Sequence, residues 1–135
     1  MQTEIYGAAL LQTIEEAGVG VLTLAEGLTD AELLGSRLTR MEVARQLRIL
    51  TEAAMALPDT LRSGMPEVDW AGIGAAGSAL AGPAGPALDD ALVFAAKALT
   101  PATLMWLRVY RQQHPQWFQM RERFDARLPV DDEDY

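Results

Sequence analysis

The chain contains no cysteine, so neither a disulfide nor a thiolate metal site can form in it. It has a single histidine, His114. No His, Asp and Glu residues cluster at metal-ligand spacing, and no serine sits in an activating pattern, so a resident metal or cofactor is not expected. Aromatic residues make up only 7% of the chain, and no segment alternates with the two-residue period of a strand. No uninterrupted apolar run approaches the ~18 residues that a membrane helix needs. The N-terminus carries Glu4 and no early Lys or Arg, unlike a signal peptide. The expectation is a cytoplasmic protein with no membrane partner.

Half of the 135 residues are hydrophobic, with Ala and Leu prominent, enough for one core in one domain. Residues 4 to 26 place Ile5, Ala8 or Ala9, Leu11, Ile14, Val19, Leu22 and Ala25 at helical intervals, which predicts a first helix of roughly 30 Å. Gly18 and Gly20 weaken its middle and Gly27 stops it. Thr29 caps a short helical turn that Gly35 breaks. Thr39, with Glu42 three residues later, has the capping-box spacing and predicts the start of a helix along Val43, Leu47, Leu50, Ala54 and Leu57. Asp69 is the expected cap of the next helix, begun by Trp70 and ended by Gly82, Pro83, Gly85 and Pro86. A fourth helix is expected over 88 to 99. Thr100-Pro101 then predicts the start of a fifth, to about Gln113, in cap-then-proline order, and Pro115 opens a last segment to about Leu128. Short connections between amphipathic helices favour an all-α, up-and-down antiparallel bundle of four or five helices over 1–128, with 129–135 as an acidic disordered tail.

The net charge of −8 is unevenly spread. Residues 1–36 carry six acids and no base, whereas 37–65 carry five arginines against three acids. An acidic chain repels nucleic acid, so RNA would need a local basic patch, for which Arg37, Arg40, Arg45 and Arg48 are candidates. The alternative is that these arginines pair with Glu42, Glu52 and the acidic first helix.

The string Gly72-Ile73-Gly74-Ala75-Ala76-Gly77 satisfies a dinucleotide-binding pattern, with Asp90 at about the distance of a ribose contact. That pattern works only when a strand feeds the first glycine, and here the turn Pro66-Glu67-Val68-Asp69-Trp70 precedes it. Close packing is the more physical reading. Gly74, Gly77, Ser78 and Ala81 recur at three- and four-residue spacing and give a helix face without side chains. Each helical glycine costs up to about 1 kcal/mol relative to alanine, so a compensating close contact is expected, and a dimer interface is one way to supply it.

The same turn and helix resemble the HepT-like branch of the HEPN domains, where an acidic "PEIPW" turn leads into the ribonuclease helix. Upstream, Gly27-Leu28-Thr29, Arg37-Leu38-Thr39 and the block from Val43 to Ala54 resemble that family's "GMT…RLT…VVRNLEIIGEAA". Leu57-Pro58 and Leu61-Arg62 resemble "LPEELR", and Leu88 to Val93 stands where the family has "VDLEIVW". The resemblance covers roughly residues 2 to 112. It implies a helical bundle, a homodimer, a minimal nucleotidyltransferase as partner and metal-independent RNA cleavage.

The family's ribonuclease motif has Arg, Asn, His and Tyr where this chain has Gly77, Ser78, Gly82 and Ala84. In the family the Arg holds phosphate and the His acts as acid or base toward the 2′-hydroxyl; glycine offers neither charge nor titratable group. Ala84 also lacks the hydroxyl by which the tyrosine of toxin relatives accepts AMP. The resemblance therefore implies a scaffold or binding protein that has lost catalysis, with Arg37, Arg45 and Glu52 as retained polar positions for a partner or RNA. The rival reading is a ribonuclease or RNA-binding protein using Arg108 and His114, which lie at relaxed HEPN spacing but outside the motif position; a histidine at a helix end is otherwise a cap. Trp106, Tyr110, Trp117 and Phe118, interleaved with Arg108, Arg111, Arg121 and Arg123, offer either a base-stacking surface or core anchors with arginines outside.

Overall fold

In the computed structural model, residues 2–120 are described, with side chains from residue 5 onward. The last eight residues expected in the bundle and the acidic tail over 129–135 lie outside them. Of the described residues 82% are helical and none is in a strand, so the chain is an all-α bundle. Four long segments make it: α1 (Gln2–Ala25), α3 (Arg37–Ala56), α5 (Trp70–Leu80) and a rod formed by α6 (Pro86–Phe94) and α7 (Thr100–Gln113). Two short helices, α2 (Asp30–Gly35) and α4 (Asp59–Ser63), fill the connections on either side of α3.

Neighbouring long helices run antiparallel. Gly20 of α1 lies by Gln46 of α3, whereas Gly7 lies by Leu61 beyond the end of α3. Gly74 and Gly77 of α5 meet Met55 and Thr51 of α3 in the reverse order, and Gly18 and Glu15 of α1 meet Leu104 and Arg111 of α7 in the reverse order. Leu11, Ile14 and Val21 of α1, Val43, Leu47 and Leu50 of α3, Ile73 of α5, and Leu92 and Leu107 of the rod close on one another with almost no exposure. These are the positions that three- and four-residue spacing selects on each helix.

Local signals set most of the ends. Gly27 takes φ +76° after α1, a left-handed conformation that favours glycine. Thr29 accepts from the Glu32 N–H and Glu32 returns a bond to the Thr29 N–H, a full capping box. Asp69 caps α5 by accepting from the Gly72 N–H at 2.9 Å. At α3 the expected cap is displaced: Ser36, not Thr39, is the N-cap, and Glu42 bonds Arg45 and Gln46 instead of closing a box. Serine accepts from the third amide as well as threonine does, so the helix gains its first turn by starting at Arg37.

Thr100-Pro101 does not begin a new helix. Helix runs without a break from Pro86 to Gln113, and Thr100 is itself helical at φ −65°, ψ −49°. Proline has no N–H and its ring would collide with the carbonyl four residues back. The chain meets this by widening to a π turn over Ala95–Leu99, which moves the carbonyl ladder by one residue. The Thr100 hydroxyl, 1% exposed, donates to the Ala95 carbonyl at 2.7 Å, and the Thr103 hydroxyl donates to Leu99 at 2.8 Å. From within the π turn Lys97 reaches across to the Leu28 carbonyl at 2.6 Å and the Asp30 carboxylate at 2.8 Å, fastening the rod to the α1–α2 connection.

Ile5–Ala25 and Pro86–Gln113 are long and apolar enough to cross a membrane by length and composition, with mean hydropathy 1.3. Core helices of soluble proteins pass the same test. Here Glu15, Glu16 and Lys97 interrupt the apolar runs, and Leu11, Ile14, Val21, Leu92 and Leu107 face the bundle interior.

Two substitutions separate packing from hydrogen bonding in this core. Leu50→Ala is expected to cost about 2–5 kcal/mol by leaving a cavity between helices. Thr100→Val keeps the shape and leaves the Ala95 carbonyl bonded to the residue 100 amide, so it is expected to cost about 1 kcal/mol or less. Urea unfolding of the two variants beside the unaltered chain checks both.

Candidate interaction face

The α5 start is built around its turn. The Trp70 indole N–H lies 3.1 Å from the Arg62 carbonyl and 3.0 Å from the Met65 carbonyl, which fixes the loop after α4 onto the helix. The Asp69 carboxylate occupies the space that a Cβ on residue 72 would take, so a side chain there would turn the carboxylate aside. Gly74 and Gly77 pack against α3: a Cβ on Gly74 would lie 3.2 Å from the Met55 sulfur, and one on Gly77 would lie 3.1 Å from Thr51 Cβ. The glycines of the dinucleotide-like string thus serve a helix cap and a helix crossing. The close contact expected of them comes from the chain's own α3, while Ser78 and Ala81 are exposed.

The four degenerate motif positions do not share one helix. Gly77 faces Thr51, Ser78 is exposed, and Gly82 and Ala84 lie beyond the end of α5 at Leu80. Pro83 explains the early end, because a residue before proline is pushed out of the helical region.

The arginines after residue 36 divide. Arg40 pairs with Asp89 and Arg45 with Glu42 at 2.8 Å, while the acidic first helix gives Glu15 to Arg111. Arg37, Arg48 and Glu52 are exposed and make no ion pair among the described residues. Two hydrogen bonds from Arg45, then one from Gln46, hold the Glu42 carboxyl down at about 2, and the same pairing raises Arg45.

Reading α3 by exposure brings out a face that its core periodicity conceals. Leu38, Met41, Arg45, Arg48, Glu52 and Met55 follow one another at spacings of three and four on the outer side. Leu38 is 80% exposed, Met41 55% and Met55 40%. Leu38 and Met41 lie one turn apart at the start of this row, and Met55 stands at its other end beyond Arg45, Arg48 and Glu52. Met55 joins this stripe to Gly74 of α5.

The rival pair sits on α7 and at its end. Arg108 is exposed on α7, whereas His114 ends that helix and stacks on Trp117 with ring centroids 4.0 Å apart and 12° between planes. No hydrogen bond joins the two among the described residues. Tyr110 and Phe118 are buried, and Trp106 and Trp117 pack on the core, with Arg111 4.7 Å above the Phe118 ring. The aromatic residues are therefore core anchors; Arg121 and Arg123 lie outside the described residues. No group of three or more His, Asp or Glu is placed to hold a metal ion among the described residues.

No protein family, curated protein or solved structure was found to match the chain.

Two measurements follow from this geometry. Gly77→Leu is expected to cost about 1–3 kcal/mol by wedging α5 from α3, whereas Ser78→Ala, one residue on and exposed, should stay within about 0.5 kcal/mol; chemical denaturation compares them. Glu42 should titrate near 2 by carboxyl-selective NMR and return toward 4.5 in Arg45→Met. Because the folded value lies below the unfolded one, the stabilisation from this pair is complete above about 4.5 and is lost as pH falls through about 2.

Proposed function

We propose that this chain is a non-catalytic binding protein of HepT-like kind, a cytoplasmic homodimer that uses the α3–α5 face and takes a minimal nucleotidyltransferase as its second partner. The observation that carries the reading is chemical. Where the resemblance puts a cation, an amide, an imidazole and a phenol, the chain has Gly77, Ser78, Gly82 and Ala84. Of these, Gly77 is turned against Thr51. Arg108 and His114, the other candidates, make no hydrogen bond to each other among the described residues, and His114 is stacked on Trp117. Association is supported instead by Leu38, Met41 and Met55, which stand in water on one face.

The resemblance supplies the nucleotidyltransferase. The resemblance makes Arg37, Arg45 and Glu52 the candidate positions for holding such a partner. Arg45 is engaged by Glu42 and shares with Glu52 the α3 row that a second copy would cover, which leaves Arg37 for the second partner.

The test is incubation of purified protein with mixed-sequence RNA in EDTA, with light scattering to fix the oligomer. The expected outcome is intact RNA and a species of twice the 14.7 kDa chain mass. Cleavage that co-purifies with the protein and disappears in His114→Ala would overturn the reading in favour of a ribonuclease.

A further inference from the structure

We infer that two copies of this chain pair through α3 in one antiparallel register, set by reciprocal Arg48–Glu52 ion pairs across a two-fold axis. The inference rests on the dimer proposed above and goes further by assigning the contact and its geometry.

Met41, Arg45, Arg48, Glu52 and Met55 are separated by four, three, four and three residues, the a/d spacing of a helix–helix seam. A two-fold axis crosses such a seam with its helices antiparallel and brings each residue opposite a fixed counterpart. With the axis midway between Arg48 and Glu52, Arg48 meets the partner's Glu52 and Glu52 meets the partner's Arg48. Arg45 meets the partner's Met55, where its aliphatic stem packs while its guanidinium stays on Glu42. Both residues of the central pair are exposed, and neither has an ion partner among the described residues. Although four residues apart on one helix, they do not bond each other, which leaves both charges for a second copy.

Other alignments oppose like charges or leave Glu52 without a counterpart of opposite sign. A parallel seam sets Arg48 against Arg48 and Glu52 against Glu52. Moving the axis back to lie between Arg45 and Arg48 sets arginine against arginine twice. Moving it forward past Glu52 sets Glu52 against Met55, and moving it further back, between Met41 and Arg45, sets Arg48 against Leu38; neither brings Arg48 to Glu52. The flank of the seam is also low: Gly74 lies directly against Met55, so no α5 side chain rises at that point to hold a second helix away.

Charge exchange tests the register. Light scattering and sedimentation should show the unaltered chain as a dimer, with Arg48→Glu and Glu52→Arg each weakening association by at least about tenfold through like-charge contacts. Circular dichroism controls for folding. Mixing the two single variants should restore association as a heterodimer, because both contacts are again of opposite sign, and the double exchange in one chain should restore a homodimer. As a second readout independent of charge, oxidising an equimolar mixture of Arg48→Cys and Glu52→Cys should link 48 to 52 in preference to 48 to 48; the chain has no cysteine of its own to compete. If the unaltered chain is dimeric but the single exchanges do not weaken it and the mixed cysteines do not cross-link, the register is wrong and the dimer reading stands. A monomer at high micromolar concentration overturns both.

Discussion

The antiparallel packing of α1 on α3 is the constraint on which the rest of the bundle depends. Leu11, Ile14 and Val21 from one helix and Val43, Leu47 and Leu50 from the other are all at most 1% exposed, and burial of such side chains contributes about 1.5–3 kcal/mol each. With that pair fixed, α5 can reach the far side of α3 only if its backbone comes close. Thr51 is β-branched and stiff, so the accommodation falls on α5, which supplies Gly77 at the crossing and Gly74 beside Met55. The glycine richness of this helix is thus a consequence of how its neighbour is built. It reduces intrinsic helix propensity, offset by the cap at Asp69 and by the Trp70 anchor.

Much of this arrangement is legible in the sequence because it is local. Gly27, Thr29, Asp69 and the proline-glycine cluster after Leu80 each act on their own few residues, and their effects on helix ends are as expected. The core face of α3 is likewise plain from Val43, Leu47 and Leu50. What escapes a reading of the sequence involves competition. Ser36 and Thr39 are both competent caps, and the choice turns on a single extra helical turn. Thr100-Pro101 has the pattern of a start, yet the buried environment around Thr100 and Thr103 keeps the helix continuous, because a break there would leave backbone groups without partners in the core.

The outer stripe of α3 is hidden for a different reason. Its apolar members, Leu38, Met41 and Met55, share a helix with a stronger hydrophobic period and are interleaved with Arg45, Arg48 and Glu52, so they register as solvated charge until exposure is known. The resemblance to HepT-like domains directs attention to the helix after the acidic turn, where the residues are small. The neighbouring α3 carries its exposed arginines and Glu52 on the side away from the core.

The π turn at Ala95–Leu99 gives the final rod a property that neither half has alone. One additional residue inside a continuous helix offsets the rotational phase of everything after it by about a quarter turn. α6 and α7 are therefore two helices with separately set azimuths, joined with no loop between them. The azimuth of α6 suits Leu92 and that of α7 suits Leu107 and Tyr110, all of which point inward. The rod thus meets two differently oriented surfaces of the bundle while remaining a single stiff element.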